Sequence, residues 1–139
     1  MPAIGRIRLL NEFGGEAVDA LLDLVLDGPT PIAMVEIRRL GGAFARPRAG
    51  DGAAGVIEEP YRLLAGAIAM APGDAAEIEN AFHSLHTGMG RFLSDRVPPN
   101  LATVEPIEQL YPAVALDRLR EIKRRVDPDD VVRGNHPLL

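Results

Sequence analysis

One stretch limits the possible folds more than any other. Residues 61–71, YRLLAGAIAMA, carry a single charge in an otherwise apolar run of strand length. Such a run predicts a buried strand with cover on both faces. The chain has 139 residues, enough for one domain with a modest core. Aromatic residues are scarce and Trp is absent, so the core must come from Leu, Val, Ile and Ala. Residues 1–139 are accordingly read as a single domain.

The flanking segments supply partners for that strand. Residues 3–10 (AIGRIRLL) read as a short strand ended by Asn11–Gly15. From Glu16 to Asp27, Val18, Leu21, Leu22, Val25 and Leu26 recur at helical spacing, with Gly28-Pro29 as the stop. Residues 32–40 (IAMVEIRRL) alternate, with Val35 and Ile37 on one face and Glu36 and Arg38 on the other. After the long strand, Pro72-Gly73-Asp74 starts a helix. Asp74 is its expected cap and Glu77 completes a capping box. The apolar stripe of that helix is Ile78, Ala81, Phe82 and Leu85, and Gly88 is its expected C-cap. Residues 89–94 (MGRFLS) read as a further strand. A last helix runs from about Ala115 to Val126, with Leu116, Leu119, Ile122 and Val126 on one face, and Asp127-Pro128 ends it. The order is that of a ferredoxin-like βαββαβ unit: an α+β fold, an antiparallel sheet with helices on one face, plus a C-terminal helix. The Gly/Ala/Pro segment 41–60 is the longest irregular stretch, of a kind that is functional or disordered in compact domains.

Chemistry is sparse. There are no cysteines, which excludes disulfides and thiolate metal sites and suits a reducing, cytoplasmic setting. A net charge of −5 argues against general nucleic-acid binding. No segment approaches the roughly 20 apolar residues of a membrane span, and the N-terminus shows no secretory signal pattern. Gly50-Asp51-Gly52-Ala53-Ala54-Gly55 matches G-x-G-x-x-G, but no strand precedes it and no helix follows, so a flexible loop is the simpler reading. Glu79, His83 and His86 share a helix face and have metal-ligand chemistry. Placed opposite the apolar stripe, they read more simply as a solvated face, and no metal site is assigned. Arg118, Arg120, Lys123, Arg124 and Arg125 suit a helix C-terminus and a solvated surface. Arg6 and Arg8 on one strand and Glu36 and Arg38 on another are able to wall a pocket, or to form surface ion pairs. No nucleophile–base set stands out, and no catalytic residue is assigned.

Several stretches resemble the back end of FAD-linked oxidoreductases of the berberine-bridge type. Residues 35–46, VEIRRLGGAFAR, resemble that family's strand and turn, and Glu59-Pro60-Tyr61 resembles the opening of its next strand. Residues 111–136, YPAVALDRLREIKRRVDPDDVVRGNH, resemble its ending, and Leu10–Asp27 its preceding helix. The resemblance spans nearly the whole chain in order. It implies a C-terminal substrate-domain segment whose sheet covers the flavin ring, without the flavin-binding domain. Asn135 would then be a cofactor-side residue, and strand alternation makes Arg8, Glu36 and Arg38 the candidates for the substrate side. Met89 and Arg91 stand where the family has Tyr-x-Asn, so a tyrosine base is missing there. Asp130 replaces the usual Asn and Val132 the usual Phe, while Pro137 follows His136 where another polar residue is common. The resemblance therefore implies a chain inactive alone, free of FAD when isolated, and either homodimeric or completed by a flavin-binding subunit. The alternative reading is a non-enzymatic small-ligand or protein-interaction module of ferredoxin-like shape, also homodimeric.

Overall fold

Three strands and three helices make up a computed structural model that describes residues 3–26 and 30–139. The elements are β1 (Ala3–Leu10), α1 (Gly15–Leu26), β2 (Ile32–Arg39), β3 (Tyr61–Ile68), α2 (Asp74–Gly88) and α3 (Ala113–Val126), with short 3-10 turns at Gly90–Phe92 and Ile107–Gln109. The sheet order is β1-β3-β2, and both pairings are antiparallel. The apolar strand is thus the central one. The helix stop expected at Gly28-Pro29 lies outside the described residues.

The sheet has two unlike faces. Leu10, Leu63, Ala65 and Ala67 meet Ala17 and Leu21 of α1 and Ile78, Phe82 and Leu85 of α2 in one buried cluster. The small residues Ala65 and Ala67 let the helices lie close to β3. The opposite face is covered only in part: Leu64 and Gly66 are half-buried and Ile68 is exposed. Cover on both faces, expected for an apolar run, is therefore only partial.

Four further expectations are corrected. Residues 89–94 form no strand, because Gly90–Phe92 wind into a 3-10 turn. What remains of the fourth strand is one bridge from Leu93 to Leu10, with Asn11 N–H donating to Phe92 and Ser94 N–H to Leu9, each at 2.9 Å. The bridge lies beside β1, where a ferredoxin-like order would place the fourth strand. Asp74 does not cap α2. Its carboxylate turns back to accept the N–H groups of Met70 (2.7 Å) and Ala71 (2.8 Å), which stops β3 at Ile68. Gly88 is the last helical residue and not a cap in the left-handed region. A Cβ there would lie 2.6 Å from Leu24 Cδ1, so the glycine admits the close approach of α1. Val126 is exposed, leaving Leu116 as the buried anchor of α3.

The Gly88 contact has a measurable consequence. Gly88→Val should wedge α1 from α2 and lower unfolding stability by about 1–3 kcal/mol. Urea denaturation checks it, and an unchanged midpoint would show that the helices separate freely there.

Candidate functional site

The partly covered sheet face carries the polar residues that the alternation of β2 places together. Glu36 accepts from Arg38 Nη2 at 2.9 Å and is also paired with Arg62 on the neighbouring strand. In the ladder Glu36 stands opposite Leu64 and Arg38 opposite Arg62, so the Glu36–Arg62 pair is diagonal. The Arg62 hydrogen bond lowers the Glu36 pKa below the ordinary carboxylate value. Burial opposes this and Arg38 reinforces it. Arg62 is largely covered, and its Nε has no acceptor among the described residues. Ile7, Leu9 and Leu64 form the apolar ground beside this cluster.

Arg8 is not part of that group. It lies on the helix side of the sheet, paired with buried Glu105. Arg6 shares that side. It is 9% exposed, paired with Glu79, and its guanidinium sits 5.6 Å over the Phe82 ring. The substrate-side set Arg8, Glu36 and Arg38 is therefore split between two faces. Alternation within β1 separates its two faces but does not say which one the helices cover. Sequence reasoning missed Arg62, although it is the one charge inside the apolar run 61–71.

The face of α2 read as solvated is only partly so. His83 is exposed, but Glu79 reaches Arg6 and His86 is half-buried, its Nε2 covered without a partner among the described residues. Burial pushes the His86 imidazole down to about 4, helped by Arg8 and opposed by Glu105, with smaller downward contributions from Arg6 and His83. Among the described residues no group of three or more His, Asp or Glu side chains is arranged to hold a metal ion.

At the far end of the chain, Asn135 is exposed on the segment after α3. That segment is tied down by Asp127, which accepts the N–H groups of Val131 (2.9 Å) and Val132 (3.0 Å) and pairs with Lys123. Lys123 also holds Asp130 at 2.7 Å. Asp130 has φ +49°, a left-handed conformation that Asn and Asp tolerate best. The Asn-to-Asp difference from the family ending thus sits where the backbone accepts either residue.

Residues 41–60 are irregular but anchored. Gly41 and Gly42 turn the chain out of β2 with φ +114° and +57°. Leu40 N–H then donates to Pro60 at 2.7 Å and Ile57 N–H to Phe44 at 2.8 Å. Together with residues 96–100, this loop borders a cleft of about 780 Å³ at the Leu9 end of the sheet. The Gly50–Gly55 run lies in turns and opens no helix, so it supplies no helix N-terminus for a pyrophosphate.

No protein-family model matches the sequence, and no curated protein matches it. Solved structures do. A variant of BBE-like 1 from Physcomitrella patens superposes with TM-score 0.81 at 15% identity, covering 99% of this chain and 30% of that one. Phl p 4, described as a grass pollen allergen with glucose dehydrogenase activity, superposes with TM-score 0.76 at 15% identity, covering 98% of this chain and 32% of the other. The chain has the fold of a segment of BBE-like oxidoreductases. It spans about a third of the length of the structures it matches. The superposition on the BBE-like structures takes in nearly the whole chain, and so nearly every element described above. No helix of the described residues is long and apolar enough to cross a membrane.

Proposed function

We propose that the chain is the substrate-domain portion of a berberine-bridge-type FAD-dependent oxidoreductase, with the partly covered sheet face forming one wall over a flavin held by the remainder of the oxidoreductase. The observation that carries this reading is the match of almost the entire chain to about a third of BBE-like structures. The polar cluster of that face supports it, since Glu36, Arg38 and Arg62 share that face with Met34 and Ile68, which are exposed and open to cover by a partner. The described residues do not fit the whole cofactor, because the one glycine-rich run has no helix behind it. Flavin would supply hydride acceptance for an alcohol, sugar or amine-like substrate. This chain would orient the substrate through the Glu36 cluster and exclude water. Asn135, exposed after the tied turn, is the proposed contact toward the cofactor side. Arg8, paired beneath α2, would act only by holding the sheet. A cytoplasmic location fits the cysteine-free sequence.

The experiment is purification of the tagged chain from its source cells. Flavin absorbance should accompany it in a larger complex, while recombinant chain alone should be colourless. A flavin-free chain recovered alone from those cells would sink the reading.

Recombinant chain without its partner should associate with itself. Among the described residues the outer edge of β2 pairs with no strand, and Met34, Ile68 and Met70 are exposed on and just beyond the sheet. An unpaired edge beside exposed apolar groups is a template for pairing, and a symmetric dimer is the commonest solution. Light scattering should give a dimer at concentrations on the order of tens of micromolar. A stable monomer that binds no hydrophobic dye would count against it.

A further inference from the structure

The cleft at the Leu9 end of the sheet is built unlike its surroundings. Leu9, Phe44, Ile57 and Tyr111 give it apolar walls. Three arginines line it, Arg46, Arg48 and Arg96, against one acidic residue, Asp51. Asp51 is already engaged, accepting the Arg48 backbone N–H at 2.6 Å. Arg96 is anchored in the wall. It donates to Val56 O at 3.1 Å and lies 3.8 Å from Glu59, a buried carboxylate that accepts the Ser94 hydroxyl at 2.7 Å. Neither Arg46 nor Arg48 forms an ion pair among the described residues.

Even with Glu59 counted against Arg96, the cleft keeps a positive excess on a chain of net charge −5. A volume of about 780 Å³ falls in the range of small-molecule sites. Apolar walls with a cationic rim select a ligand that is both apolar and anionic. Guanidinium is the side chain best suited to bind a carboxylate through two parallel hydrogen bonds. A multiply charged phosphate would find no helix N-terminus here and would leave the apolar walls unused.

We propose that this cleft binds a monocarboxylate with an apolar body, of the aryl or branched-alkyl class, with Arg46 and Arg48 taking the carboxylate and Phe44, Ile57 and Tyr111 the body. The proposal does not depend on flavin, because it concerns the isolated chain.

Calorimetric titration of the full chain with naphthoate and with its neutral analogue naphthylmethanol tests it. The carboxylate should bind at least about tenfold more tightly, as expected for a charge-assisted pair of hydrogen bonds, and should weaken as salt is raised. The double variant Arg46→Met/Arg48→Met should lose that discrimination while melting at the same temperature, since both side chains are exposed. Phe44→Ser should weaken both ligands and keep the discrimination. Equal binding of the two ligands, absence of binding up to millimolar concentration, retained discrimination in the double variant, or an indifferent Phe44→Ser would each overturn the proposal.

Discussion

Phe82→Ala should lower unfolding stability by about 3–5 kcal/mol, the usual range for an aromatic removed from a closed core. Phe82 is 1% exposed and lies in the cluster that joins both helices to β3. It is also one of only four phenylalanines in a chain without tryptophan, so few other large side chains are available to fill the space. The ring lies beneath the Arg6 guanidinium, and truncation would remove the surface that this buried cation rests on. Small domains have only about 5–15 kcal/mol in total, so the variant should be substantially unfolded at modest urea. A loss below about 1 kcal/mol would mean that the core collapses into the gap, contrary to its close packing.

The second large effect concerns Glu105. Its side chain is 2% exposed, pairs with Arg8 and accepts the N–H groups of Thr103 (2.8 Å) and Val104 (3.1 Å). Burial alone would raise its pKa. The Arg8 hydrogen bond and the backbone donors of residues 103–105 outweigh that and hold it at about 2, against an ordinary 4.5. Glu105→Ala would leave Arg8 covered without its counter-charge and should destabilise by roughly 3 kcal/mol. The pH dependence follows in sign. A carboxyl whose folded pKa is depressed stabilises fully above 4.5, and that contribution, on the order of 3 kcal/mol, is lost as pH falls toward 2. His86 acts in the same direction at higher pH. Its folded pKa of about 4 lies below the ordinary 6.5, so the folded state resists protonation and stability declines as pH falls between them. Urea midpoints should therefore drop in two stages on acidification. Glu105→Gln should shrink the lower stage, to which Asp127, also held at about 2 by Lys123, contributes as well, and His86→Phe should remove the upper one. A midpoint flat from about pH 7 to about pH 3 would contradict both assignments.

Much of the fold is legible because apolar spacing is a local property. Val35 and Ile37 against Glu36 and Arg38 define β2 from eight residues, and Leu21, Ile78, Phe82 and Leu85 mark the helical stripes. The partnership of Glu36 with Arg62 is not local. It depends on how β2 registers against β3 across the irregular residues 41–60, and spacing within one strand carries no such information. Gly88 is similar: its sequence context suggests a cap, whereas its role comes from Leu24 of another helix. Residues 89–94 have strand-like side chains, but hydrogen bonds from Phe92 N–H to Met89 and from Leu93 N–H to Gly90 close a turn first. Only a single bridge to β1 survives.

The position of β3 has a consequence for how the chain assembles. β1 and β2 come first in sequence yet never touch in the ladder; each pairs only with β3. Leu10 meets Tyr61 and Ala3 meets Ile68, so the first ladder closes loops of roughly fifty residues or more, a separation that slows folding. During synthesis the first two strands wait, edges bare, until the third emerges. A chain cut just before Tyr61 would hold two strands and nothing to join them.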